Sequence, residues 1–494
     1  MMLPLYKEAI CSIFSVTPDQ IKEYSASLTE VQGDQLQMCK VKGIKKILAA
    51  GSGPLFSQLV GEPLSASLKL CPLTHENRLV LNKHLPYTVP SAFGKQTATF
   101  GVGDRLGLAS PGHIRCLQKS NAKPILAQQS KRELDLTGRN YEQVLDDVCF
   151  AVFQEGYRGG FGADGDHLKQ LDDIQDALSC GYTMITLDCS EKIGRGIEQL
   201  SKDEKLHLYE ELPLEYRNRL ENTYLNHVFS ISSEQFSYRI EDLAECVLIY
   251  HKAIEFVGEV YHQYLMKADH AVDFELSIDE TESVTTALGH LFVAMELIEQ
   301  KVDITSLAPR FVGEFQKGID YIGNSSELEV QLKQHAAIAD YFGYKLSIHS
   351  GSDKFSVFPM IGKHTKGRLH IKTSGTNWLE ALGTIAECNP ALYRKIHSIA
   401  LQHFEEAKSF YHVTADLNLV MPLDEVKDED LIRYLHNDHS RQLVHITYGY
   451  VLRDNDLKSE LYQTLKVQEE QYYQRLITHI GRHLTLIGLS DKNA

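Results

Sequence analysis

Short apolar runs recur through the middle of the chain, and almost every run ends in a cluster of polar residues. The runs predict eight strands, at 97–102, 124–127, 157–163, 183–187, 272–278, 309–315, 346–348 and 369–371. Helical periodicity predicts helices between most of them, at 141–153, 170–180, 284–299, 327–342 and 377–387. Strands that alternate with helices predict a parallel sheet. Eight such units favour an α/β fold of the (β/α)8 TIM-barrel type over an open doubly wound sheet.

The same alternation predicts how the chain is organised. The barrel is expected at 96–390, with an N-terminal extension at 1–95 packed on it and a helical C-terminal region at 391–494 outside it. The extension is predicted to contain a helix near 18–26 and a strand at 45–50. After the fourth strand, apolar residues at helical spacing predict a helical insertion at about 200–268.

Composition and charge exclude several classes of protein. The formal net charge of −16 argues against a nucleic-acid or anionic-membrane binder, because both need a basic surface. The nine cysteines are scattered and form no Cys-x-x-Cys pair, so we expect free thiols in a reducing, cytoplasmic compartment. Neither a signal peptide nor an apolar run of roughly 20 residues, enough to span a bilayer, is predicted.

Three histidines lie at or near the ends of predicted strands. His167 follows an Asp-Gly-Asp turn, His349 follows the seventh strand, and His370 lies within the eighth. Because the carboxyl ends of parallel barrel strands share one face, we expect these imidazoles to converge on a divalent metal. A structural role for each histidine, and a helix-capping role for Asp164 or Asp166, are the alternatives.

Two strands are predicted to place carboxylates inside the barrel. In the fifth strand, four polar residues alternate on one face: Asp273, Glu275, Ser277 and Asp279. Loss of solvent there would raise the pKa of Glu275, as a general acid or base requires. In the sixth strand, alternation directs Glu314 and Gln316 inward, to complete a metal shell and bind a sugar hydroxyl. An edge strand with one wet face and a structural Glu314–Arg310 pair are the alternatives.

Cationic residues also cluster at the predicted strand ends, namely Arg105, Lys131, Arg132, Lys354 and Lys372. Such a cluster suits an anionic substrate, and a guanidinium can bind a carboxylate through two hydrogen bonds. Salt bridges around the barrel rim are the alternative. The glycines at 101 and 103 do not complete the dinucleotide-binding pattern, so NAD is not predicted.

Five segments, taken together and in order, resemble the bacterial tagaturonate/fructuronate epimerases. They are 100–113, 126–134, 162–169 (Gly-Ala-Asp-Gly-Asp-His-Leu-Lys), 347–356 and 370–377. The resemblance covers roughly 95–390. It implies a cytosolic, metal-dependent barrel enzyme of hexuronate catabolism that interconverts D-tagaturonate and D-fructuronate. The implied partner is therefore a small ketohexuronate, with no nucleic acid or membrane, and a homo-oligomer is compatible with the sequence.

The resemblance also implies roles for individual residues. We map the acid/base pair onto Asp166 and Glu275. The expected metal ligands are His167, Glu314, His349 and His370, and the sequence leaves open whether Glu314, Gln316 or His370 completes the shell. The expected substrate-binding residues are Asp104, Arg105, Gln129, Arg132, Gln316, Asp353, Lys354 and Lys372. A mixed shell of histidine and carboxylate suits Zn, Mn, Ni, Co or Fe, so the sequence does not choose among these divalent cations.

The implied reaction limits the chemistry. The two sugars differ at carbon 3, which is beta to the carbon 5 ketone, so simple enolisation cannot invert it. A retro-aldol and aldol sequence can, and deprotonation with reprotonation by two opposed acid/base groups is the competing route. A class II aldolase, a ketose isomerase and a non-catalytic carbohydrate-binding barrel are the rival functions.

Overall fold

The region before the barrel is built on a five-stranded antiparallel sheet. The computed structural model describes residues 3–490 apart from Glu280 and Glu282. This first region contains α1 (Leu3–Phe14), β1 (Ile21–Val31), β2 (Asp34–Val41), β3 (Ile44–Ala50), α2 (Pro54–Gln58), β4 (Glu62–Ser65), β5 (Leu68–Pro72) and α3 (His75–His84). The strands pair in the order β1-β2-β3-β5-β4. The predicted strand at 45–50 is therefore confirmed.

The predicted helix near 18–26 is wrong, because those residues begin β1 after a 3-10 turn at Pro18–Gln20. The reason lies in the two-residue turns that follow. Gln32 and Gly33 both have positive φ, of 52° and 84°, as do Lys42 and Gly43, at 50° and 78°. Turns of this kind match the twist of paired strands and lock a hairpin. The hairpins thus override the helical spacing of the apolar residues.

The middle of the chain forms a closed barrel of eight parallel strands. Its first half contains β6 (Thr99–Gly101), α4 (Ser110–Leu117), β7 (Lys123–Ser130), α5 (Lys131–Thr137), α6 (Tyr141–Gln154), β8 (Gly162–Leu168), α7 (Leu171–Ser179) and β9 (Met184–Asp188). An insertion follows, with α8 (Lys202–Glu210), α9 (Leu214–Tyr224), β10 (Val228–Ile231), β11 (Glu234–Ser237) and α10 (Ile240–Gln263). The insertion is mainly helical, and the β10–β11 hairpin was not predicted.

The second half of the barrel continues with β12 (Asp273–Ile278), α11 (Ala287–Glu299), β13 (Ser306–Pro309), α12 (Ser325–Phe342), β14 (Lys345–Ile348), α13 (Phe358–Thr365), β15 (Leu369–Lys372) and α14 (Asn377–Cys388). The order β12-β13-β14-β15-β6-β7-β8-β9 closes the sheet, with β15 against β6 and β12 against β9. The predicted (β/α)8 barrel is confirmed.

Two strand boundaries differ from prediction in ways that change the site. The sixth strand is β13, which ends at Pro309, so the prediction of a strand at 309–315 is wrong. Gly313, at a φ of 80°, turns the chain there, and Glu314 forms an isolated bridge with Ile322. The alternation that directed Glu314 inward therefore does not apply. The third strand begins at Gly162, later than predicted, so its polar cluster lies within the strand.

The last region is helical and packs against the barrel. It contains α15 (Pro390–Lys408), α16 (Asp438–Ile446), α17 (Tyr448–Arg453), α18 (Asn455–Val467) and α19 (Glu469–Ile487). Helix α19 packs on α4, α13 and α14. Among the residues described, no helix is both long enough and apolar enough to cross a bilayer.

The inside of the barrel is polar. The buried side chains that hydrogen-bond or pair with one another across it include Thr99, Asp164, Thr186, Glu275, Ser306, Lys345, His370 and Lys372. Barrels of this type more often fill the interior with branched apolar residues. Here the apolar core lies between the strands and the surrounding helices, and the interior is a hydrogen-bonded network below the carboxyl ends of the strands.

Candidate functional site

Two neighbouring openings, which share Lys317, His349 and Ser350 in their walls, lie at the carboxyl end of the barrel. An outer cavity of 220 Å³ is lined by residues that include Arg132, Asp279, Arg310, Glu314, Lys317 and His349. An inner chamber of 40 Å³ is lined by residues that include Asp166, His167, Lys317, His349, Ser350 and His445. A larger cavity of 540 Å³ lies between the N-terminal sheet, α6 and α19, but it contains none of these histidines. The residues that line a cavity, rather than its volume, therefore identify the candidate site.

A bulge in β8 brings Asp166 and His167 to the same site. Adjacent residues of a regular strand point to opposite faces. In β8 the pairing with β9 shifts register between Gly165 and Leu168, and His167 has a φ of 53°. Both side chains consequently line the inner chamber, and Nδ1 of His167 lies 2.8 Å from Oδ1 of Asp166. Bulges often re-aim a side chain beside an active site.

His349 follows β14 directly and lies between two carboxylates. Its Nε2 is 2.8 Å from Oε1 of Glu275, and its Nδ1 is 3.1 Å from Oδ1 of Asp279. Burial disfavours the charged ring, but Asp279 and Glu275 raise the pKa of His349 to about 10. The rings of His349 and His167 have centroids 4.8 Å apart.

These contacts converge on one group of three side chains. His167, Asp279 and His349 each offer a ligand atom, and the three atoms lie within 4.8 Å of one another. Asp279 was not among the predicted site residues. The signal was present in the sequence, because Asp279 continues the alternating polar face of β12 by one position beyond the strand.

The ammonium of Lys372 lies at the centre of the acidic network. It contacts Asp166, donates to Thr186 at 2.6 Å, and lies 3.2 Å from Asp164 and 3.1 Å from Glu275. Burial alone would raise the pKa of Glu275, but Lys372 and two histidines hold it well below its usual value. The predicted rise in this pKa is therefore wrong, because desolvation was considered without the cation that crosses the barrel from β15.

Two of the predicted metal ligands lie outside the group of three. His370 is fully buried within β15, and its Nδ1 is 2.9 Å from Oγ1 of Thr99. Burial lowers its pKa to about 3. Glu314 lines the outer cavity, with a side chain 39% exposed, and lies 3.1 Å from Nε2 of His412.

Some of the predicted substrate-binding residues support loops instead. The carboxylate of Asp104 accepts hydrogen bonds from the amides of Leu106 and Ala109. The buried ammonium of Lys354 donates to three backbone carbonyls, at 2.6 to 2.9 Å. Asp353 accepts a hydrogen bond from Arg441 at 2.8 Å. These contacts give all three predicted residues structural partners.

Among the other predicted substrate-binding residues, Arg132 and Gln316 line the outer cavity and Lys372 lines the inner chamber, whereas Arg105 and Gln129 are not among the lining residues of either. Arg105 is buried, donates to Glu133 at 2.8 Å and stacks on the Tyr448 ring at 3.8 Å. Arg132 is exposed and lines the outer cavity. Gln129 is buried, and its Nε2 has no hydrogen-bond partner among the described residues.

The C-terminal region contributes to the site, which the sequence did not predict. Oε1 of Gln316 accepts hydrogen bonds from Thr414 at 3.0 Å and from Gln442 at 2.9 Å. His412 lines the outer cavity, and His445 lines the inner chamber. Sequence patterning gave no signal for this, because these residues are about one hundred positions from β13 and their approach depends on tertiary packing.

Comparisons with known proteins identify the family of this chain. The family model of tagaturonate epimerase (UxaE) matches residues 24–487. A tagaturonate/fructuronate epimerase of Thermotoga maritima is 44% identical over 422 residues, which cover 85% of this chain and 87% of that protein. Crystal structures of the fructuronate-tagaturonate epimerase UxaE from Cohnella laeviribosi, native and with one glycerol, match at 51% identity. Their TM-score is 0.95, over 98% of this chain and 100% of theirs. The chain therefore belongs to the tagaturonate epimerase family, whose members are isomerases.

Proposed function

We propose that this protein interconverts D-tagaturonate and D-fructuronate and uses a divalent cation held by His167, Asp279 and His349. Family membership supports the reaction. The observation that carries the cation site is the arrangement of the two histidines. Each has a carboxylate on one ring nitrogen, and both approach the same third carboxylate, that of Asp279.

The donor set fits such a cation. Metal–nitrogen bonds are about 2.1 Å, so two ligands of one ion lie at most about 4.2 Å apart. The three donor atoms, within 4.8 Å of one another, would need only small side-chain rotations. Histidine ligands usually donate their second ring N–H to a carboxylate, which fixes the tautomer. Asp166 would serve His167 in this way, and Glu275 would serve His349. Glu275, predicted as an acid/base residue, is thereby assigned a supporting role, whereas Asp166 both supports His167 and is proposed as the base.

A divalent cation in this position would act as a Lewis acid toward the ketone of the substrate. The set of two histidines and one carboxylate suits Zn, Mn, Ni, Co or Fe, which all accept mixed nitrogen and oxygen ligands. The reaction itself needs a base for the hydroxyl at carbon 3. Asp166 is placed for this because it lines the inner chamber. His167 and Lys372 hold its pKa well below its usual value despite burial, which keeps the carboxylate ionised and able to accept a proton. Both contacts go to Oδ1, so Oδ2 would take the proton.

The proposed route is retro-aldol. When Asp166 takes the hydroxyl proton, the bond between carbons 3 and 4 breaks, giving an aldehyde at carbon 3 and an enediolate over carbons 4 and 5. The aldehyde fragment then rotates to present its other face. The bond re-forms, and the protonated Asp166 returns its proton to the new alkoxide at carbon 3. Every atom is retained, and no external hydrogen enters carbon 3.

The test is turnover of D-tagaturonate in deuterium oxide, followed by carbon NMR. We expect D-fructuronate without deuterium at carbon 3. Stoichiometric deuterium there would favour the two-base route, an aldose product would indicate a ketose isomerase, and net cleavage would indicate an aldolase. Binding without turnover would contradict the enzyme assignment for this substrate. His207→Ala removes an imidazole that is 76% exposed on α8 and serves as the control variant. It should give the same product without deuterium at carbon 3.

We also propose a cytoplasmic location. All nine cysteines are free thiols, and six of them are buried. Such usage suits a reducing compartment.

A further inference from the structure

His445 is a buried side chain that the proposed reaction does not yet use. It lies on α16 of the C-terminal region, yet it lines the inner chamber beside residues from β8, from the loop after β14 and from β15. The residue is 2% exposed, and its Nε2 has no hydrogen-bond partner among the described residues. A buried polar nitrogen without a partner is costly, so one directed into a chamber indicates a ligand.

Two glycines fix where this imidazole points. A Cβ on Gly375 would stand 2.8 Å from Nε2 of His445, and a Cβ on Gly318 would stand 2.8 Å from its Cδ2. Such distances are shorter than side chains tolerate, so any residue but glycine at these positions would displace the ring. Both glycines line the chamber. The absence of a side chain at both positions leaves room for the imidazole of His445 beside the chamber.

The charges nearby favour an anion on this side of the chamber. The ammonium of Lys317 donates to Oγ of Ser350 at 3.1 Å and makes no ion pair with any residue that the structure describes. Burial, together with Arg105 and Lys317, keeps the pKa of His445 well below its usual value, so the imidazole stays neutral and can donate from Nε2. On the opposite wall, the charge of Lys372 is balanced by three carboxylates.

We propose that Lys317 and His445 bind the carboxylate of the substrate and that this pair selects ketohexuronates over neutral ketohexoses. The inference rests on the proposed function. The chamber volume of 40 Å³ suits a small group, since one water needs about 10–15 Å³. A charge-assisted contact from Lys317 and a neutral donor from His445 match the two oxygens of a carboxylate. The C-terminal region therefore supplies specificity to a barrel that supplies the chemistry.

The rival location for the substrate carboxylate is the outer cavity, which Lys317 also lines and where Arg132 and Arg310 supply guanidinium groups. His445 lines only the inner chamber and Arg310 only the outer cavity, so these two residues separate the two locations. Arg310 makes no ion pair within the part of the chain that the structure describes. The substitution Arg310→Met therefore tests whether the substrate carboxylate binds in the outer cavity instead.

The experiment compares kcat/KM for D-tagaturonate with kcat/KM for D-tagatose, its neutral counterpart. We expect Lys317→Met and His445→Leu each to lower the ratio about tenfold or more. His445→Gln, which keeps a donor, should retain more of the ratio than His445→Leu. Lys363→Met, which removes an exposed lysine of α13, is the matched control and should leave the ratio unchanged. A ratio within twofold of wild type in both Lys317→Met and His445→Leu, or a loss confined to Arg310→Met, overturns the inference.

A binding measurement keeps the test independent of turnover. Calorimetric titration with D-glycerate and with glycerol compares two three-carbon ligands that differ in the carboxylate. We expect wild type to prefer glycerate and Lys317→Met, at a half-buried position, to lose that preference. If wild type and Lys317→Met prefer glycerate over glycerol equally, the inference is overturned, even if epimerisation is confirmed. If wild type prefers glycerate, Lys317→Met does not, and no turnover is seen, the proposed reaction is wrong but the anion site stands.

Discussion

Two buried histidine clusters lie near the carboxyl ends of the barrel strands, and they differ in what the imidazole nitrogens contact. In the first cluster, His167 and His349 face the carboxylates of Asp166, Glu275 and Asp279. The second contains Asp353, His479 and His483, whose possible ligand atoms also lie within 4.8 Å of one another. By composition and spacing the two clusters look alike.

In the second cluster both ring nitrogens of His483 are hydrogen-bonded to the backbone, and Asp353 pairs with Arg441. Nδ1 of His483 lies 2.8 Å from the carbonyl of His479, and Nε2 accepts from the amide of Asp353 at 3.0 Å. Arg441 neutralises the Asp353 carboxylate. A cation there would have to displace these bonds. The cluster instead holds α19 against the loop after β14, where Asp353 has a φ of 62°. Two histidines and a carboxylate close together are therefore not enough to define a metal site. The hydrogen-bond partners of the ring nitrogens distinguish the two clusters.

Loss of a ligand from the first cluster should have the largest effect. His349→Ala or Asp279→Asn should abolish stoichiometric metal and lower kcat/KM about a thousandfold or more, because Lewis-acid stabilisation is worth several kcal/mol. Metal content by elemental analysis and steady-state kinetics provide the measurement. Asp353→Asn, in the second cluster, is the matched control. This variant should keep the stoichiometric metal that the first cluster binds. Full activity in His349→Ala would remove the proposed site.

Loss of a carboxylate that supports a ligand should have an intermediate effect. Asp166→Asn preserves size but weakens the contact that fixes the His167 tautomer. We expect metal affinity to fall about 10- to 100-fold, measured by competition with a chelating dye. An unchanged dissociation constant would show that Asp166 does not support the ligand. Any loss of kcat that persists at saturating metal would then report its role as a base.

The second cluster should respond in stability rather than in metal content. His483→Leu leaves the amide of Asp353 without its acceptor, which should lower the free energy of unfolding by about 1–3 kcal/mol. Denaturant unfolding measures this loss. Metal stoichiometry should be that of wild type. Loss of metal with unchanged stability would reverse the assignments of the two clusters.

The second cluster should also make the protein sensitive to acid. Burial and His479 lower the pKa of His483 from 6.5 to about 3, so the unfolded state binds this proton more readily. His479 and Arg441 lower the pKa of Asp353 to about 2 despite its burial. The contribution of His483 to the free energy of unfolding is full above pH 6.5 and is lost as the pH falls toward 3. The contribution of Asp353 is lost as the pH falls from 3.8 toward 2. Unfolding free energies measured from pH 7 to 4 should fall, and less steeply in His483→Gln; equal slopes would contradict this.

Glu314→Gln should have the smallest effect of these substitutions. The side chain is 39% exposed and its partner His412 is 72% exposed, so their pair adds little stability. We expect metal content to be unchanged and kcat/KM to stay within about threefold, since Glu314 lies outside the group of three ligands. Loss of metal in this variant would restore Glu314 to the shell that the sequence predicted.

The fold was accessible from the sequence because strand and helix periodicities alternate cleanly from β7 to α14. The histidines and acids at strand ends were accessible for the same reason, since parallel barrels gather those ends on one face. The exact orientation of His167 was not, because it depends on a bulge that shifts the register of β8. Equally, the low pKa of Glu275 depends on Lys372, which comes from the opposite wall of the barrel.

The contribution of the C-terminal region could not be read from periodicity. His445 lies on an amphipathic helix whose buried side would ordinarily be assigned to packing. Its approach to the chamber requires glycine at 318 and 375, and neither glycine belongs to a recognisable motif with the histidine. Similarly, Asp279 was seen on the polar face of β12, but only the contact with His349 distinguishes it from Asp273.

The most direct test of the two-cluster account is anomalous X-ray scattering from crystals grown with Mn²⁺ or Co²⁺. Data collected on either side of the metal absorption edge locate the ion independently of activity. The account predicts one strong peak between His167, Asp279 and His349, with none at Asp353, His479 and His483. A peak confined to the second cluster, or an ordered crystal without a peak in the first, would contradict it.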